Sequence, residues 1–438
     1  MPASREAPTA PVQTVCVVGL GYVGLPMAVM LASRGFSVTG VDIDPAVRSR
    51  LASGGVETSE DGVENLLSQA LDAGAFAVAG TPVPSDVFVI AVPTPIQNDG
   101  ARSADLSHVR AAAQAVAPAL RRGNLVVLES TVPPGATNDV LVPELERSGL
   151  KAGRDLRIAH VPERVLPGNV LAELVQNARV IGGIDRASAE SARELYARFV
   201  EGEIILTDAR TAEMVKLMEN TYRDVNIALA NEFASLAEVL GVDIWRAIAI
   251  ANQHPRVNVL RPGPGVGGHC IPVDPWFLAA ATASSQPAPL IRAARAVNDA
   301  MPERVCEELS TLLSNVSAPV VAVLGLAYKA GTDDTRNSPA LAVARSLRLR
   351  GWALHLHDPY AAAPPDLGES FDSPQAAAKG ADCLLLMTDH REFQALDPAA
   401  LGPVMRRPLV FDTRGIIDEA SWRTAGFEVR RLGAPRAP

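Results

Sequence analysis

The chain has 438 residues, of which 48% are hydrophobic and 20% are charged, and its net charge is −9 at pH 7. This length predicts two or three domains with large buried cores, in a globular protein of ordinary composition. The acidic balance argues against binding nucleic acid or an anionic membrane surface, and no apolar run reaches the ~18 residues of a membrane span.

Residues 1–13 have no apolar signal core, so we expect a flexible tail there. From residue 14 to residue 207, short apolar runs alternate with helical segments, which predicts an α/β domain with a doubly wound parallel sheet. The strands predicted in this part are 14–19, 36–41, 87–92, 125–128, 179–183 and 203–206, and the helices are 22–34 and 106–120.

A glycine-rich turn joins the first predicted strand to the first predicted helix. Gly19, Gly21 and Gly24 form a G-x-G-x-x-G pattern, in which the glycines make the turn, admit a pyrophosphate and let the helix pack on the strand. Asp42 ends the second strand, where a carboxylate accepts a hydrogen bond from a ribose 2′-OH and favours NAD over NADP. The alternative is a plain strand–helix turn, with Asp42 as a turn residue.

Two threonines follow predicted strands at the sheet edge where open α/β sheets bind ligands. Thr94 lies in VPTP and Thr131 in ESTVPPG. Without the neighbouring motifs, a turn or helix-capping role would be the better interpretation of both.

Apolar residues recur at helical spacing from 209 to 240 without Gly or Pro, which predicts one long helix that spans between domains and packs against a second subunit. Lys216, Asn220 and Arg223 occupy positions i, i+4 and i+7 and share one face of it. This set suits binding an anion or holding a water beside a reacting carbonyl, and a half-buried lysine there is a usable acid or base. The alternative is a solvated face.

Cys270 ends a loop with four glycines in residues 263–268, and Asp274 follows four residues later. Because glycine lets the backbone approach a ligand closely, the loop indicates a thiol that touches substrate, and the nucleotide-binding turn favours a nucleophile in a dehydrogenase. The alternative is a buried cysteine after a tight turn. The other cysteines are widely scattered, which predicts a reducing cytoplasm rather than a disulfide framework: Cys16, Cys306 and Cys383.

A second α/β unit is predicted from residue 315, with strands 320–324, 353–356, 383–387 and 409–411. Tyr328, Lys329 and Arg336 follow its first strand and Arg414 follows its last, so basic side chains gather at one sheet edge. Such a group suits a bound phosphate or carboxylate.

Two further pairs of residues carry weaker signals. His254 and Arg256 precede the glycine loop and are candidates for another phosphate contact. His355 and His357 share one face of a strand with no ligand at metal-binding spacing, so we expect no metal site.

Taken together, these segments resemble the nucleotide-sugar 6-dehydrogenases, the UDP-glucose/GDP-mannose dehydrogenase family, over nearly the whole chain past Gln13. Within the family, PERVLPGN, HPRVNVL and GVGGHC are most similar to the UDP-N-acetyl-D-mannosamine dehydrogenases, and the substrate rests on this resemblance alone. The motifs that carry the resemblance are VVGLGYVGLP, ESTVPPG, HVPERVLPGN, EMVKLMENTYRDVNIALANE, HPRVNVLRPGPGVGGHCIPVDPWF and LAYKAGTDDTRNSP.

The resemblance implies three domains: an NAD-binding Rossmann domain over 14–207, a central helical dimerisation domain over 208–314 and a UDP-sugar-binding Rossmann-like domain over 315–438. It also implies a homodimer through the long helix, with His254 and Arg256 lent across the interface.

The chemistry that the resemblance implies is a four-electron oxidation of C6 from alcohol to carboxylate with two NAD. Cys270 would form a thiohemiacetal and then a thioester, and Lys216 would be the acid and base that also steadies the oxyanion. Asn220 would order that oxygen or the water, and Asp274 would transfer protons near the thiol. Two further residues would aid the hydrolytic water, Glu163 and Thr131.

The resemblance implies two sets of ligand contacts. Those for NAD are Gly19, Gly21, Tyr22, Val23, Gly24, Asp42, Thr94, Thr131 and Arg336. Those for the sugar nucleotide are Arg164, Val165, Lys216, Asn220, Arg223, His254, Arg256, Gly267, Tyr328, Lys329 and Arg414.

Other functions remain open from the sequence. UDP-N-acetylglucosamine, UDP-glucose and GDP-mannose are alternative substrates within the family. A non-catalytic regulator that binds NAD and a nucleotide would have no use for a thiol nucleophile, and a two-electron hydroxyacid dehydrogenase would leave Cys270 idle.

Overall fold

A computed structural model of the chain describes residues 13–56, 60–165, 168–283 and 285–435. The tail predicted for residues 1–13 therefore lies outside the described residues, except for Gln13. The chain divides into two units, Met1–Met218 and Glu219–Pro438. The domain boundaries predicted near residues 207 and 315 stay predictions.

Within the described residues, eight strands form the sheet of the first unit. They are β1 (Thr14–Val18), β2 (Ser37–Val41), β3 (Phe76–Ala79), β4 (Val87–Ile90), β5 (Leu125–Leu128), β6 (Arg157–His160), β7 (Arg179–Gly183) and β8 (Ile204–Asp208). Their order is β3-β2-β1-β4-β5-β6-β7-β8, and neighbours run parallel except β6 and β7. The doubly wound α/β prediction is confirmed, with one antiparallel pair.

The sheet of the first unit is covered on both faces, as its alternating side chains require. Val15 and Val17 of β1 pack into one apolar cluster, and Cys16 and Val18 pack into another. The helices of this unit are α1 (Gly24–Ser33), α2 (Pro45–Ala52), α3 (Val63–Asp72), α4 (Ser107–Val116), α5 (Val142–Leu145), α6 (Val170–Gln176) and α7 (Arg186–Tyr196).

The predicted long helix is confirmed as α8 (Ala209–Leu240), which begins in the first unit and ends in the second. Between α8 and the second sheet, the described residues form α9 (Ile244–Ala251), α10 (Asp274–Ala281) and α11 (Pro289–Leu312). No helix of the described ranges combines the length and the apolar character needed to cross a membrane.

The second sheet consists, in the described part of the chain, of six parallel strands. They are β9 (Val320–Leu324), β10 (Ala353–His357), β11 (Glu369–Ser370), β12 (Cys383–Leu386), β13 (Leu409–Asp412) and β14 (Glu428–Arg431), in the order β11-β10-β9-β12-β13-β14. The helices around it are α12 (Pro339–Leu349), α13 (Pro374–Ala378), α14 (Arg391–Gln394), α15 (Pro398–Leu401) and α16 (Glu419–Thr424).

In both sheets the chain crosses over beside the first strand, between β1 and β4 and between β9 and β12. Ligands of open α/β sheets bind at the carboxyl ends of strands next to such a crossing. The loops after β1, β4, β9, β12 and β13 are therefore the positions to search for a site.

Candidate active site

The turn after β1 has the geometry of a phosphate-binding loop. Gly19 has φ +92°, and a Cβ there would lie 2.5 Å from the Ala91 carbonyl oxygen, so no other residue fits. A Cβ on Gly24 would lie 1.8 Å from the Gly19 carbonyl oxygen, because α1 begins directly against the turn. Gly21 is exposed, and a Cβ there would meet no described atom within 4 Å. No described side chain caps α1, so its first N–H groups suit an anion.

Asp42 lies beside this turn at the end of β2. Its Oδ2 accepts a hydrogen bond from the Leu20 N–H at 3.0 Å, and its Oδ1 accepts from the Asp44 N–H at 2.9 Å. A carboxylate has about four acceptor positions, so these bonds fix its orientation and still allow it to accept from a ribose hydroxyl. Tyr22 is half-buried and its hydroxyl donates to Glu60 at 2.7 Å. Together with the turn, this arrangement fits the adenosine half of a dinucleotide.

Replacing Asp42 by Asn tests this fit. We expect the affinity for NADH to fall about tenfold, because one charge-assisted hydrogen bond is lost, and the discrimination against NADPH to shrink. Fluorescence titration with both cofactors measures the two dissociation constants. Asp44→Asn is the matched control, because Asp44 instead accepts from the Ala46 N–H at the start of α2. Unchanged binding of both cofactors by D42N would show that Asp42 does not contact the ribose.

Thr94 and Thr131 follow the neighbouring strands β4 and β5, and the Thr94 hydroxyl donates to the Thr131 carbonyl at 2.7 Å. Glu213, near the start of α8, accepts from the N–H and the hydroxyl of Thr137 at 2.7 and 2.6 Å. This carboxylate therefore ties the loop after Thr131 to the helix that carries Lys216, one turn further along.

Lys216 is buried, with 8% of its surface exposed, and its charge acts on two groups at the end of β6. Burial raises the pKa of Glu163, whereas the positive charges of Lys216 and Arg179 act in the opposite direction. Burial, reinforced by the charge of Lys216, lowers the pKa of His160 to about 3, so His160 is neutral. The first unit thus brings Lys216 and Glu163 into one electrostatic group.

Glu129, Tyr196 and Arg179 adjoin this group and were not predicted. Glu129 follows β5 and is 1% exposed, and the Tyr196 hydroxyl donates to it at 2.5 Å. The Arg179 guanidinium carbon lies 5.8 Å from the centre of the Tyr196 ring. A carboxylate directly after an apolar strand, in ESTVPPG, was the available signal for Glu129. Tyr196 and Arg179 gave none, because each belongs to an ordinary helix or strand pattern.

In the second unit, Asn220 and Asp274 are joined directly. The Asn220 amide donates to Asp274 Oδ2 at 2.6 Å, and both residues are buried. The Cys270 carbonyl accepts from the N–H groups of Val273 and Asp274 at 3.0 and 2.8 Å, so one tight turn fixes Cys270 relative to the carboxylate. All four cysteines lie in described ranges, and Cys270 alone is not buried. The alternative of a core cysteine is therefore excluded.

The glycine loop lies against the basic loop that follows β9. A Cβ on Gly267 would lie 2.6 Å from the Tyr328 Cβ, so the two backbones approach closely. The Gly268 N–H donates to the Arg336 carbonyl at 2.9 Å, and the Asn337 amide donates to the Gly268 carbonyl at 3.0 Å. The loop that bears Cys270 and the loop that bears Tyr328, Lys329 and Arg336 therefore form one structural group.

Two arginines of this group are held by carboxylates. Arg336 pairs with Asp334, with N–O distances from 2.6 to 3.1 Å, and this hydrogen-bonded partner raises the pKa of the Arg336 guanidinium. Arg414 donates to Asp389 Oδ1 at 3.1 Å, and its Nη1 lies 2.6 Å from where a Cβ on Gly263 would stand. Asp389 was not predicted. Its position shortly after the apolar strand β12 is the sequence feature that could have indicated it.

The remaining predicted residues differ from one another in burial and in hydrogen-bond partners. Arg164 is half-buried and donates to the Ala178 carbonyl at 2.9 Å, and the Val165 N–H donates to Glu163. Arg223 is exposed on α8. His254 and Arg256 are exposed on the segment after α9, where the Arg256 N–H donates to His254 Nδ1 at 3.4 Å. Val23 directly precedes α1.

Within the described ranges, no group of three His, Cys, Asp or Glu side chains has an arrangement that could hold a metal ion. His355 and His357 instead contact the carbonyl groups of Ala377 and Phe371 at 2.7 and 2.9 Å.

Three family models match consecutive parts of the chain. They are the NAD-binding, central and UDP-binding domains of the UDP-glucose/GDP-mannose dehydrogenase family, over residues 13–200, 210–300 and 322–419. An NAD-binding domain thus coincides with the phosphate-binding turn and a UDP-binding domain with the basic loops of the second sheet.

Individual proteins show the same relationship over nearly the whole chain. A UDP-N-acetyl-D-mannosamine dehydrogenase of Methanocaldococcus jannaschii is 45% identical, over 96% of each chain. An NDP-N-acetyl-D-galactosaminuronic acid dehydrogenase of Ralstonia nicotianae is also 45% identical, over 92% of this chain and 96% of the relative. The solved structure of a UDP-D-ManNAc dehydrogenase from Pyrococcus horikoshii is 43% identical, with a TM-score of 0.89 over 96% of this chain and 99% of that one. The family resemblance is confirmed, and the chain belongs to the UDP-glucose/GDP-mannose dehydrogenase family.

Proposed function

We propose that this protein is an NAD-dependent dehydrogenase that oxidises C6 of UDP-N-acetyl-D-mannosamine to the carboxylate, with Cys270 as the nucleophile. The observation that carries the proposal is the position of Cys270, which is partly exposed, in a glycine loop and fixed by one turn to the buried pair of Asp274 and Asn220. A binding protein without catalysis has no need of such a thiol.

Bound NAD would accept a hydride in each of two oxidation steps. In the first step Lys216 takes the proton of the C6 hydroxyl, which leaves an aldehyde. The Cys270 thiolate then adds to the aldehyde, and Lys216 returns its proton to the oxygen of the adduct, which gives a thiohemiacetal. Loss of a second hydride from C6, with Lys216 taking the hydroxyl proton again, converts the thiohemiacetal to a thioester. Water adds to the thioester carbonyl, the C–S bond breaks, the thiol is regenerated and the uronate leaves. Glu163 takes a proton of that water, and Thr131, another residue of the first unit, would aid the same water.

We assign NAD to the carboxyl edge of the first sheet and the UDP moiety to the carboxyl edge of the second. NAD is preferred to NADP because Asp42 would accept from the ribose 2′-OH and repel a 2′-phosphate. Tyr328, Lys329 and Arg414 would bind the anionic and polar parts of the UDP moiety, since all three follow strands of the second sheet at its carboxyl edge.

Sequence identity does not choose the sugar, because relatives named for an N-acetylmannosamine and for an N-acetylgalactosaminuronic acid are both 45% identical. The choice of N-acetyl-D-mannosamine rests on the segments PERVLPGN and HPRVNVL. Incubation of the purified protein with NAD and each of five sugars tests it: UDP-N-acetylmannosamine, UDP-N-acetylgalactosamine, UDP-N-acetylglucosamine, UDP-glucose and GDP-mannose.

We expect kcat/KM to be highest for UDP-N-acetylmannosamine, with two NADH formed for each sugar consumed. A preference for another sugar of the panel would overturn the substrate but keep the reaction. One NADH for each sugar would overturn the thioester route, and no NADH with any of them would overturn the dehydrogenase itself.

A homodimer through α8 is part of this proposal. Several large apolar side chains along α8 are exposed, and their spacing of three, four or seven residues places them on one stripe: Met218, Tyr222, Leu229, Phe233, Leu236 and Leu240. An apolar stripe of this length fits a second copy of the same helix. Sedimentation equilibrium measures the mass, and a monomer at micromolar concentration would contradict the dimer. A reducing cytoplasmic location also stays a prediction.

A further inference from the structure

Two buried residues that follow β12 have no role in the proposed reaction, yet they lie beside the loops assigned to UDP. In the second sheet β12 stands between β9 and β13, and the loops after those two strands carry Lys329 and Arg414. Asp389 accepts from Arg414 at 3.1 Å. Thr388 and His390, on either side of Asp389, are 2% and 0% exposed. Their polar atoms therefore need partners inside the protein.

His390 joins a buried carboxylate to the loop after β9. Its Nε2 lies 3.1 Å from Asp358 Oδ2, and both side chains are fully buried. Its Nδ1 accepts a hydrogen bond from the Gly331 N–H at 3.2 Å. Because a backbone N–H can only donate, Nδ1 carries no proton, and the ring is the neutral tautomer whose Nε2–H donates to Asp358. Both ring nitrogens thus have partners that fix the orientation of the ring.

The other end of the same loop is held by the same group of residues. Asp358 Oδ2 also accepts from the N–H groups of Leu326 and Ala327 at 2.6 and 3.0 Å. The Thr388 hydroxyl donates to the Ala327 carbonyl at 2.7 Å. The two predicted UDP contacts of this loop lie between Ala327 and Gly331, so buried groups fix the backbone on both sides of them.

Asp358 has in the second sheet the position that Asp42 has in the first, because each directly follows the strand beside the first strand of its sheet. Asp42 accepts two backbone hydrogen bonds from the described residues and can still accept from a ribose. Asp358 also accepts from the N–H groups of Tyr360 and Ala361, both at 2.8 Å, which makes five bonds in all. A carboxylate has about four acceptor positions, so Asp358 serves as an anchor and not as a ligand contact.

We propose that Thr388 and His390, together with Asp358, are positioning residues that order the loop after β9 for UDP. This inference rests on the proposed function, in which Tyr328 and Lys329 contact the UDP moiety. A loop that is already ordered loses little conformational entropy when its ligand binds, so the anchors raise the affinity for UDP. Release of either end should weaken UDP binding and leave NAD binding and the chemical steps unchanged.

Two substitutions of His390 separate its two bonds. Gln places its amide nitrogen near the position of Nε2, so H390Q keeps the donor for Asp358 and loses the acceptor for Gly331. Asn places its amide oxygen near the position of Nδ1, so H390N keeps the acceptor for Gly331, and Asp358 still accepts from four N–H groups. We expect the Kd of UDP and the KM of the sugar nucleotide to rise about two- to tenfold in H390Q and to stay within about twofold in H390N. In both variants kcat and the Kd of NADH should stay native.

Calorimetric titration with UDP measures binding without turnover, and steady-state kinetics separates kcat from KM. His355→Gln is the matched control, because His355 belongs to the same sheet and its ring contacts the Ala377 carbonyl, so this variant should keep native affinity for UDP. Asn is smaller than Gln and leaves the larger cavity, so a merely structural role for His390 would make H390N the more impaired variant. That order, or native affinity for UDP in H390Q, would overturn the inference.

Thr388→Val tests the other end of the loop and provides the test if H390Q does not fold. Val has the shape of Thr without its hydroxyl, so the bond to the Ala327 carbonyl is lost and the packing is kept. We expect the Kd of UDP to rise about two- to tenfold with native kcat. Unchanged affinity for UDP in this variant would also contradict the positioning role.

The proposed function and the positioning role fail in different ways. If the native protein does not bind UDP, or forms no NADH or only one NADH for each sugar, the proposed function is wrong. If the native protein binds UDP and forms two NADH, and the variants bind UDP as tightly as it does, the positioning role alone is wrong.

Discussion

Replacing Cys270 by Ser is expected to abolish uronate formation while NAD binding is kept. A serine hydroxyl is far less nucleophilic than a thiolate at neutral pH, and loss of a nucleophile costs about 10³- to 10⁶-fold in kcat. At most one NADH should form for each active site, because the first oxidation needs no covalent bond to the enzyme. Stopped-flow absorbance of NADH and chromatography of the products measure both effects.

A thiol-labelling experiment controls for this variant. Cys16, Cys306 and Cys383 are fully buried, and burial raises the pKa of the Cys16 thiol to about 11. Iodoacetamide should therefore label the native protein once and C270S not at all, with loss of activity in step with labelling. Full turnover by C270S, or a fully labelled protein that is still active, would contradict the covalent route.

The sequence predicted most of the fold because its signals are local. The glycine turn after β1, the apolar strands and the 32 residues of α8 all show in spacing and composition. The sequence missed β3, β6, β11 and β14, which are poorly buried, very short or polar. Only the first residue of β3 is buried, β11 has two residues, and charged or polar side chains belong to β6 and β14, such as Arg157, His160 and Glu428. The antiparallel pair of β6 and β7 was not predictable, because alternation of strands and helices does not reveal the direction in which a strand enters the sheet.

The candidate site also contains residues that the local sequence reveals and contacts that it does not reveal. Cys270 and Asp274 were predicted because they follow a glycine-rich loop, and Lys216 was predicted because it shares one helix face with Asn220 and Arg223. The bond between Asn220 and Asp274, 54 residues apart, and the bond between Tyr196 and Glu129, 67 residues apart, depend on tertiary packing. Nothing in the local sequence of Tyr196 distinguishes it from a core aromatic residue.

Replacing Lys216 by Met should lower kcat by about 10²- to 10⁴-fold, because the alcohol proton then has no base and the oxyanion has no cation beside it. Met has a similar length and is compatible with burial, so folding should be kept. Steady-state kinetics with NAD and the preferred sugar measures the loss. Arg210→Met on the same helix, whose side chain is 64% exposed, is the control that should stay within about twofold of the native rate.

Lys216→Met also has an expected effect on pH dependence. The charge of Lys216 lowers the pKa of Glu163, so its removal should raise that pKa further. The acid limb of thioester hydrolysis should therefore move to higher pH, and the pH range of the residual activity should shrink from its acid side. Lys216→Arg keeps the charge but has no readily exchangeable proton, so it should keep the native limb and still lose rate. Native kcat in K216M would show that Lys216 is not the base, and an acid limb moved downward would show that Lys216 is not the cation that holds Glu163 ionised.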